Sequence, residues 1–374
     1  MCVMQQRYFI LLAAAACLLP APLHAATCTP LREAVSVPLP GFASPGELVM
    51  PPQHLPRRGL LVLFGGSDVA DLDSAIQGAE GTIVSRPLRQ VADALACAGF
   101  VTLRYNKRYV TGATSVDRAK FDLLNGADFA ADGRAAVAYV RARPALAALP
   151  LGFAGWSEGT TVAVAVAAAE PAVRALVLMA PVVDTPARVA QAQYGRIGKP
   201  YLQRYAAPDG TLDAAAIARA DAGGGGLLAH VFVRMFRGFR PGERLNPLLD
   251  TDHDNRISFA EADPILASWY ADVPGGGLGT SGTARALRGV ADAFGPATPP
   301  MLILQGLNDA MIGPQAAQAF ARQPGMRGRV RLLTYAGLGH SLGRAASAQD
   351  DSLAPVAARP LGDMAAWLRK TLRK

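Results

Sequence analysis

One pentapeptide, Gly155-Trp156-Ser157-Glu158-Gly159, constrains the fold of this chain more than any other stretch. It follows an apolar run, Pro150–Phe153, that reads as a strand, and precedes a small-residue segment, Thr160–Ala169, that reads as a helix. A chain that passes from strand to helix so abruptly has no room for a Cβ beside the turn, so both flanking positions call for glycine. Ser157 at the apex is then expected in a strained backbone conformation, its hydroxyl exposed above a sheet. The bland alternative is a Gly/Ser turn without chemistry; the strand–turn–helix setting argues against it.

The rest of the chain repeats that alternation. Ala34–Val37 and Glu47–Val49 are short edge-like segments between Pro/Gly turns. Gly59–Phe64 reads as a buried strand, Pro87–Ala98 as a helix closed by Gly99, and Phe100–Tyr105 as the next strand. An alanine-rich helix over Ala127–Arg143 stops at Pro144, and Val173–Ala180 follows as a strand. Near the end come a strand at Met301–Leu304, a helix at Pro314–Arg322, a strand at Arg329–Thr334 and a helix at Val356–Leu372. Buried runs alternating with helices predict the α/β class, a mostly parallel sheet with helices on both faces. Between Asp184 and Pro300 the rhythm breaks. This stretch holds the runs Gly223–Gly226 and Gly275–Gly277 and reads as a mainly helical cap over residues 184–299, inserted between core segments 26–183 and 300–374.

Of the 374 residues 51% are hydrophobic, enough for one large domain with an insertion. The net charge of +8 is scattered in short groups such as Arg104/Lys107/Arg108, without interleaved aromatic platforms, which argues against nucleic acid as a partner. Residues 1–25 read as a cleaved secretory signal: Arg7 supplies the positive region, Tyr8–Leu19 a short apolar core, and Leu23-His24-Ala25 the cleavage site. The expected location is secreted or periplasmic. A lipoprotein signal at Ala14-Ala15-Ala16-Cys17 fits less well, and no other segment has 18 uninterrupted apolar residues, so no membrane span is expected in the mature chain. Cys2 and Cys17 leave with the signal. Cys28 and Cys97 remain, an even pair that predicts a disulfide in an oxidising compartment, against the alternative of two buried thiols.

LLVLFGGSD, GFVTLRYNKR, LGFAGWSEG, ALVLMAPVVD, MLILQGLNDAM and GLGH, in this order and spacing, resemble the α/β-hydrolase superfamily. Within it the chain resembles secreted bacterial esterases and acyl-aminopeptidase-like enzymes related to dienelactone hydrolases. The matching segments cover Gly59–Asp184 and Pro300 to the end. One departure stands out: the usual Asp-Arg-Gly-x-Gly after the second strand is Asn106-Lys107-Arg108-Tyr109-Val110 here.

A serine hydroxyl needs a base to take its proton. Of the five histidines, His24 leaves with the signal, His54 precedes the first core strand, and His230 and His253 lie in the cap. His340, just past the last strand, is the candidate base, where the resemblance also places it. The carboxylate that orients it is Asp309, in the order Ser…Asp…His, with Asp184 as the rival. The oxyanion donors are expected to be the backbone N–H of Glu158 and one from the loop Phe64-Gly65-Gly66-Ser67-Asp68, at Gly66 or Ser67. Trp156, beside the nucleophile, reads as packing rather than as a platform for substrate.

The cap contains a second dense pattern. In Asp250-Thr251-Asp252-His253-Asp254-Asn255-Arg256-Ile257-Ser258-Phe259-Ala260-Glu261, carboxylates fall at positions one, three, five and twelve of an EF-hand-like loop. The Arg256 carbonyl falls at seven, the apolar Ile257 at eight and Ser258 at nine. Asn255 stands at six, where glycine is usual, and tolerates positive φ better than most residues. The expected ligand is a structural Ca²⁺; the alternative is a solvated acidic loop before the helix Phe259–Tyr270. A fainter echo at Asp209-Gly210-Thr211-Leu212-Asp213 reads either as a degenerate partner hand, with Leu212 facing Ile257, or as an N-cap for the helix Ala214–Ala220.

The expected function is a serine hydrolase that cleaves a carboxylic ester of a small-molecule acyl substrate through an acyl-enzyme, with no organic cofactor and a cap stiffened by calcium. A peptidase or amidase of the same fold is the alternative among enzymes, although nothing in the sequence resembles the propeller or acidic anchor of oligopeptidases. A non-catalytic calcium-binding protein is the alternative from another class.

Overall fold

The computed structural model describes residues 28–67, 69–78, 81–238, 240, 242–271 and 287–373. The expected signal segment, Asp68 and the Gly275–Gly277 run lie outside them. Eight strands form the central sheet: β1 (Leu31–Leu39), β2 (Phe42–Met50), β3 (Gly59–Phe64), β4 (Phe100–Tyr105), β5 (Leu151–Trp156), β6 (Val173–Met179), β7 (Met301–Gly306) and β8 (Val330–Tyr335). Their order is β1-β2-β4-β3-β5-β6-β7-β8. β2 runs antiparallel to β1 and β4, and every other pairing is parallel.

Strands β3, β5 and β7 are buried along their whole length, as their apolar runs require when helices cover both faces. Side chains alternate across β3. Leu60, Val62 and Phe64 join one core with the helices Gly126–Arg141 and Gly159–Ala168. Leu61 and Leu63 join the other with the helices Pro87–Cys97 and Ala358–Thr371. The helix Gly126–Arg141 starts at a capping box between Asn125 and Asp128, and the helix Pro87–Cys97 ends before Gly99, whose φ is +96°.

The N-terminal hairpin is longer than its sequence suggests. β1 and β2 each run nine residues, with Pro38 and Pro45 inside them. Pro38 lies on the edge strand β1, and Pro45 on β2 falls just before the stretch Gly46–Val49 that pairs with β4, so neither removes a ladder bond to β4. The Cys28–Cys97 disulfide ties the arm before β1 to the end of the helix Pro87–Cys97. Arg104 of β4 is 1% exposed and pairs with Glu47 of β2 and with Asp73 in the segment after β3.

After β6 the chain leaves the sheet and builds a separate apolar cluster. It contains the helices Pro186–Gln193, Ala214–Ala222, Leu227–Arg237 and Phe259–Ala271, and a π-helical turn at Tyr194–Gly198. Tyr201, Leu202, Ile217, Phe232, Phe236 and Leu266 fill its centre. The chain rejoins the main core at the short helix Val290–Ala293, where Val290 is fully buried and its N–H donates to the Val182 carbonyl at 2.9 Å. Among the described residues no helix is long and apolar enough to cross a membrane.

Candidate active site

Ser157 sits between β5 and the helix Gly159–Ala168 with φ +55°, the left-handed region that non-glycine residues rarely occupy. Its glycine neighbours make that turn possible. A Cβ on Gly155 would overlap the backbone of Gly159, and one on Gly159 would overlap the carbonyls of Phe64 and Gly65 at the end of β3. The Ser157 N–H donates to the Met179 carbonyl on β6 at 3.0 Å, and its carbonyl accepts the Thr160 hydroxyl at 2.5 Å. The strained residue is therefore held from both sides, the condition under which such strain persists.

The candidate acid and the candidate base meet. His340 Nδ1 lies 3.0 Å from each carboxylate oxygen of Asp309. Asp309 is fully buried, and its carboxylate also accepts from the Gln305 side chain at 2.9 Å and from the Ile312 N–H at 2.8 Å. With Nδ1 turned to Asp309, Nε2 is the nitrogen left for a substrate or nucleophile. Burial pushes the His340 imidazolium down. The charge of Asp309, its hydrogen bond and the charge of Asp351 outweigh burial, so the net direction is up from the ordinary value. The rival Asp184 is elsewhere: its side chain is 40% exposed and faces Arg188 at 3.8 Å.

The backbone donors expected of the site are also close. A Cβ placed on Gly66 would lie 3.6 Å from the Ser157 Cβ and 3.1 Å from the Trp156 ring, so this glycine permits the close approach of the β3 turn to the serine. Ser67 is exposed. Among the described residues no acceptor takes the N–H of Glu158 or of Gly66. Trp156 is 5% exposed. Its Nε1 donates to the His340 carbonyl at 3.0 Å, and its ring lies 5.4 Å from the imidazole, so it packs and orients the histidine.

Three features escape sequence reasoning. Asp351 is 1% exposed and spans the two loops of the acid and the base. Its Oδ2 accepts the N–H of His340 at 2.7 Å and of Ala310 at 3.2 Å, and its Oδ1 accepts the Leu353 N–H at 3.1 Å. Lys107 places its ammonium 2.7 Å from the Glu158 carboxylate and 4.6 Å from the centre of the Phe129 ring. Asn106 and Arg108 frame the same loop: Asn106 accepts the Leu72 N–H at 2.7 Å, and Arg108 pairs with Asp132. The segment that departs from the superfamily pattern thus builds a local polar frame. Residues between β6 and β7 reach the site too. Arg196 donates to the Asp309 carbonyl at 2.8 Å, and Gly226 donates to the Gln349 carbonyl at 2.6 Å.

A mostly parallel sheet covered by helices, with a strained serine after β5, is the fold of the α/β-hydrolases. The model of the serine aminopeptidase S33 family of hydrolases matches residues 84–344, and the chain belongs to that family. Among solved structures it is similar to Est1E from Butyrivibrio proteoclasticus with ferulic acid bound, at 16% identity and a TM-score of 0.50, covering 91% of this chain and 99% of that one. It is also similar to a dienelactone hydrolase from Anabaena variabilis, at 16% identity and a TM-score of 0.47, covering 92% and 99%. A puromycin-hydrolysing peptidase of Mycobacterium tuberculosis shares 16% identity with a TM-score of 0.46, covering 95% of this chain and 41% of that one. No curated protein matches. The enzyme is a hydrolase acting on a small-molecule substrate; the low identities make the structural likeness one of fold.

Proposed function

We propose that the protein is an exported serine hydrolase that cleaves a carboxylic ester through an acyl-enzyme formed on Ser157. The observation that carries this reading is the contact of His340 Nδ1 with both oxygens of a fully buried Asp309, in a chain whose strained serine lies after β5. His340 Nε2 takes the Ser157 proton as Oγ adds to the acyl carbonyl, and Asp309 stabilises the imidazolium that forms. The N–H groups of Glu158 and Gly66 receive the oxyanion. Collapse expels the alcohol, protonated by His340. Water then repeats the addition on the acyl-enzyme and frees the acid.

An ester fits better than a peptide, because Glu158, the carboxylate adjacent in sequence to Ser157, is already paired with Lys107 and is not free to hold a substrate's amino terminus. The family's description as a serine aminopeptidase favours the second reading, an amide or peptide substrate. The arm segment and the Cys28–Cys97 disulfide support action in an oxidising compartment after removal of the leader.

A fluorophosphonate probe, followed by peptide mapping, tests the chemistry. Labelling at Ser157 is expected, together with faster release of p-nitrophenol from a short acyl ester than of p-nitroaniline from an aminoacyl anilide. Folded protein that takes no label defeats the acyl-enzyme on Ser157; preference for the anilide replaces ester with peptide.

A further inference from the structure

The cap carries a cluster that the Ser157 site does not use. Asp250, Asp252 and Asp254 each bring a carboxylate oxygen within 4.8 Å of the other two. Asp252 and Asp254 are exposed, but Asp250 is only 8% exposed, and its Oδ1 is buried with no hydrogen-bond partner among the described residues. A buried carboxylate with an oxygen that lacks a donor, on a residue whose side chain gathers with two further carboxylates, is unfavourable unless a cation meets it. The cationic side chain of this loop, Arg256, turns away to pair with Asp209 at 3.2 Å. His253 is exposed, with φ +61°.

The far end of the loop is tied back to its start. Glu261 lies back across the loop: one carboxylate oxygen accepts the Thr251 N–H at 3.0 Å, the other the Ser258 N–H at 2.8 Å. Its helix, Phe259–Ala271, begins two residues earlier. The loop is also braced by a second segment. Thr211–Leu212 pairs antiparallel with Ile257–Ser258, Leu212 opposite Ile257. That second segment offers no competing site. Asp209 Oδ1 is occupied by the N–H and hydroxyl of Thr211, and Asp213 caps the helix Ala214–Ala222 through the Ala216 N–H at 2.7 Å.

We propose that Asp250, Asp252, Asp254 and Glu261 bind one Ca²⁺ per chain, with the Arg256 carbonyl and Ser258 completing the oxygen set, and that the segment Thr211–Leu212 is a metal-free brace. Four carboxylates with a carbonyl and a hydroxyl favour Ca²⁺, which takes six to eight oxygens in flexible geometry, over Mg²⁺, which holds to a tight octahedron and keeps its water. The ion joins two structural routes toward the catalytic loops. At the start of the loop the Asp250 N–H is held by the Asn246 carbonyl at 3.1 Å, and Asn246 is bonded to Met235 and Phe236 of the helix Leu227–Arg237. The first N–H of that helix, of Leu227, donates to the Asp351 carbonyl at 3.3 Å. At the other end, Asp263 of the Glu261 helix accepts the Tyr194 hydroxyl at 2.9 Å and pairs with Lys199, on either side of the Arg196 that donates to the Asp309 carbonyl.

The test uses the mature full chain stripped with EGTA. Isothermal titration with CaCl₂ is expected to give one site per chain, with MgCl₂ at least about tenfold weaker. Saturating Ca²⁺ raises Tm by a few degrees. Glu261→Gln and Asp252→Asn each weaken the site at least about tenfold and abolish the Tm shift. Asp252 is exposed, so its variant folds even where loss of the Glu261 contacts unsettles the helix. No binding at millimolar Ca²⁺, two equivalent sites, equal binding of Mg²⁺, or unchanged affinity in folded Asp252→Asn would each overturn the proposal. None of these readouts involves ester hydrolysis, so failure here leaves the assignment of Ser157 standing.

Discussion

The turn at Ser157 and the cap loop at Asp250–Glu261 both hold non-glycine residues at positive φ: Ser157 at +55°, His253 at +61° and Asn255 at +65°. They differ in what enforces it. Around Ser157 the neighbours are backbone atoms of β3, β6 and the following helix, packed so closely that only glycine fits on either side. In the cap loop the neighbours are exposed carboxylates and Asx-type bonds, such as the Arg256 N–H to Asp254 at 2.8 Å. The first geometry is set by the protein's own packing. Under the calcium proposal the second would depend on a counter-charge, because the loop gathers three carboxylates within 4.8 Å of one another.

The largest effect tests the first half of that contrast. Ser157→Ala is expected to lower kcat by about 10⁴- to 10⁶-fold while the circular dichroism spectrum and Tm remain those of the parent, since the replacement fits the same turn and leaves the frame intact. Ester turnover persisting at the parental rate would show that the strained serine is a structural turn. Asp309→Asn comes next, with a loss of about 10⁴-fold and a second readout. The neutral imidazole is the working form, so kcat/KM falls as pH drops through the His340 pKa, which lies above its ordinary 6.5. Removing the Asp309 charge takes away the leading upward influence, so the acid limb of the residual activity moves to lower pH. An acid limb unmoved by the substitution would separate Asp309 from the titrating group.

Asp351→Asn should do less, about 10- to 100-fold in kcat with KM nearly unchanged, because Asp351 touches the backbone of His340 and Ala310 and positions the acid–base pair without meeting substrate. This variant also sharpens the contrast between the two regions. Gly226 packs directly on the Asp351 backbone, where a Cβ would overlap it, so the segment between β6 and β7 leans on the residue that joins the loops of His340 and Asp309. If Ca²⁺ acts through the cap, chelation in the Asp351→Asn background should add little to the loss; a fully additive loss would mean that the cap influences turnover by another route.

How much of this was legible from residues alone follows the same divide between local and long-range causes. The Ser157 turn, the strands β3 and β4 and the helix Pro314–Arg322 were readable because glycine spacing and apolar runs act locally. The pairing of Leu212 with Ile257 was one of two open readings, since a two-residue strand carries almost no periodic signal. Asp351 was invisible: a loop aspartate eleven residues past His340 acquires meaning only when the chain folds back under that histidine. Arg104 was hidden for a related reason. An arginine in a strand reads as solvent-facing until Glu47 and Asp73, distant in sequence, close over it. The length of the N-terminal hairpin was masked by Pro38 and Pro45, which look like breaks and are tolerated at the sheet margin.

The smallest effect is the most discriminating. Asn255 occupies the loop position where glycine has the lower conformational cost, so Asn255→Gly relieves left-handed strain in the folded loop but adds freedom to the unfolded chain. The two contributions oppose each other, and without metal Tm should move by less than about 1 °C, the equivalent of a few tenths of a kcal/mol in a chain of this length. With Ca²⁺ present the balance differs, because binding demands that one backbone geometry and the strain in it counts against affinity. A gain of about two- to fivefold in Ca²⁺ affinity is therefore expected, measured by the same titration as for the parent. The matching change at the other turn cannot be made without losing the nucleophile, and this marks the difference between the regions. At Ser157 the strain belongs to the proposed nucleophile and is held by packing. At Asn255 it is incidental, and glycine can remove it. Affinity unchanged in Asn255→Gly would mean that the loop is already held in its binding geometry by the brace at Thr211–Leu212 rather than by the ion.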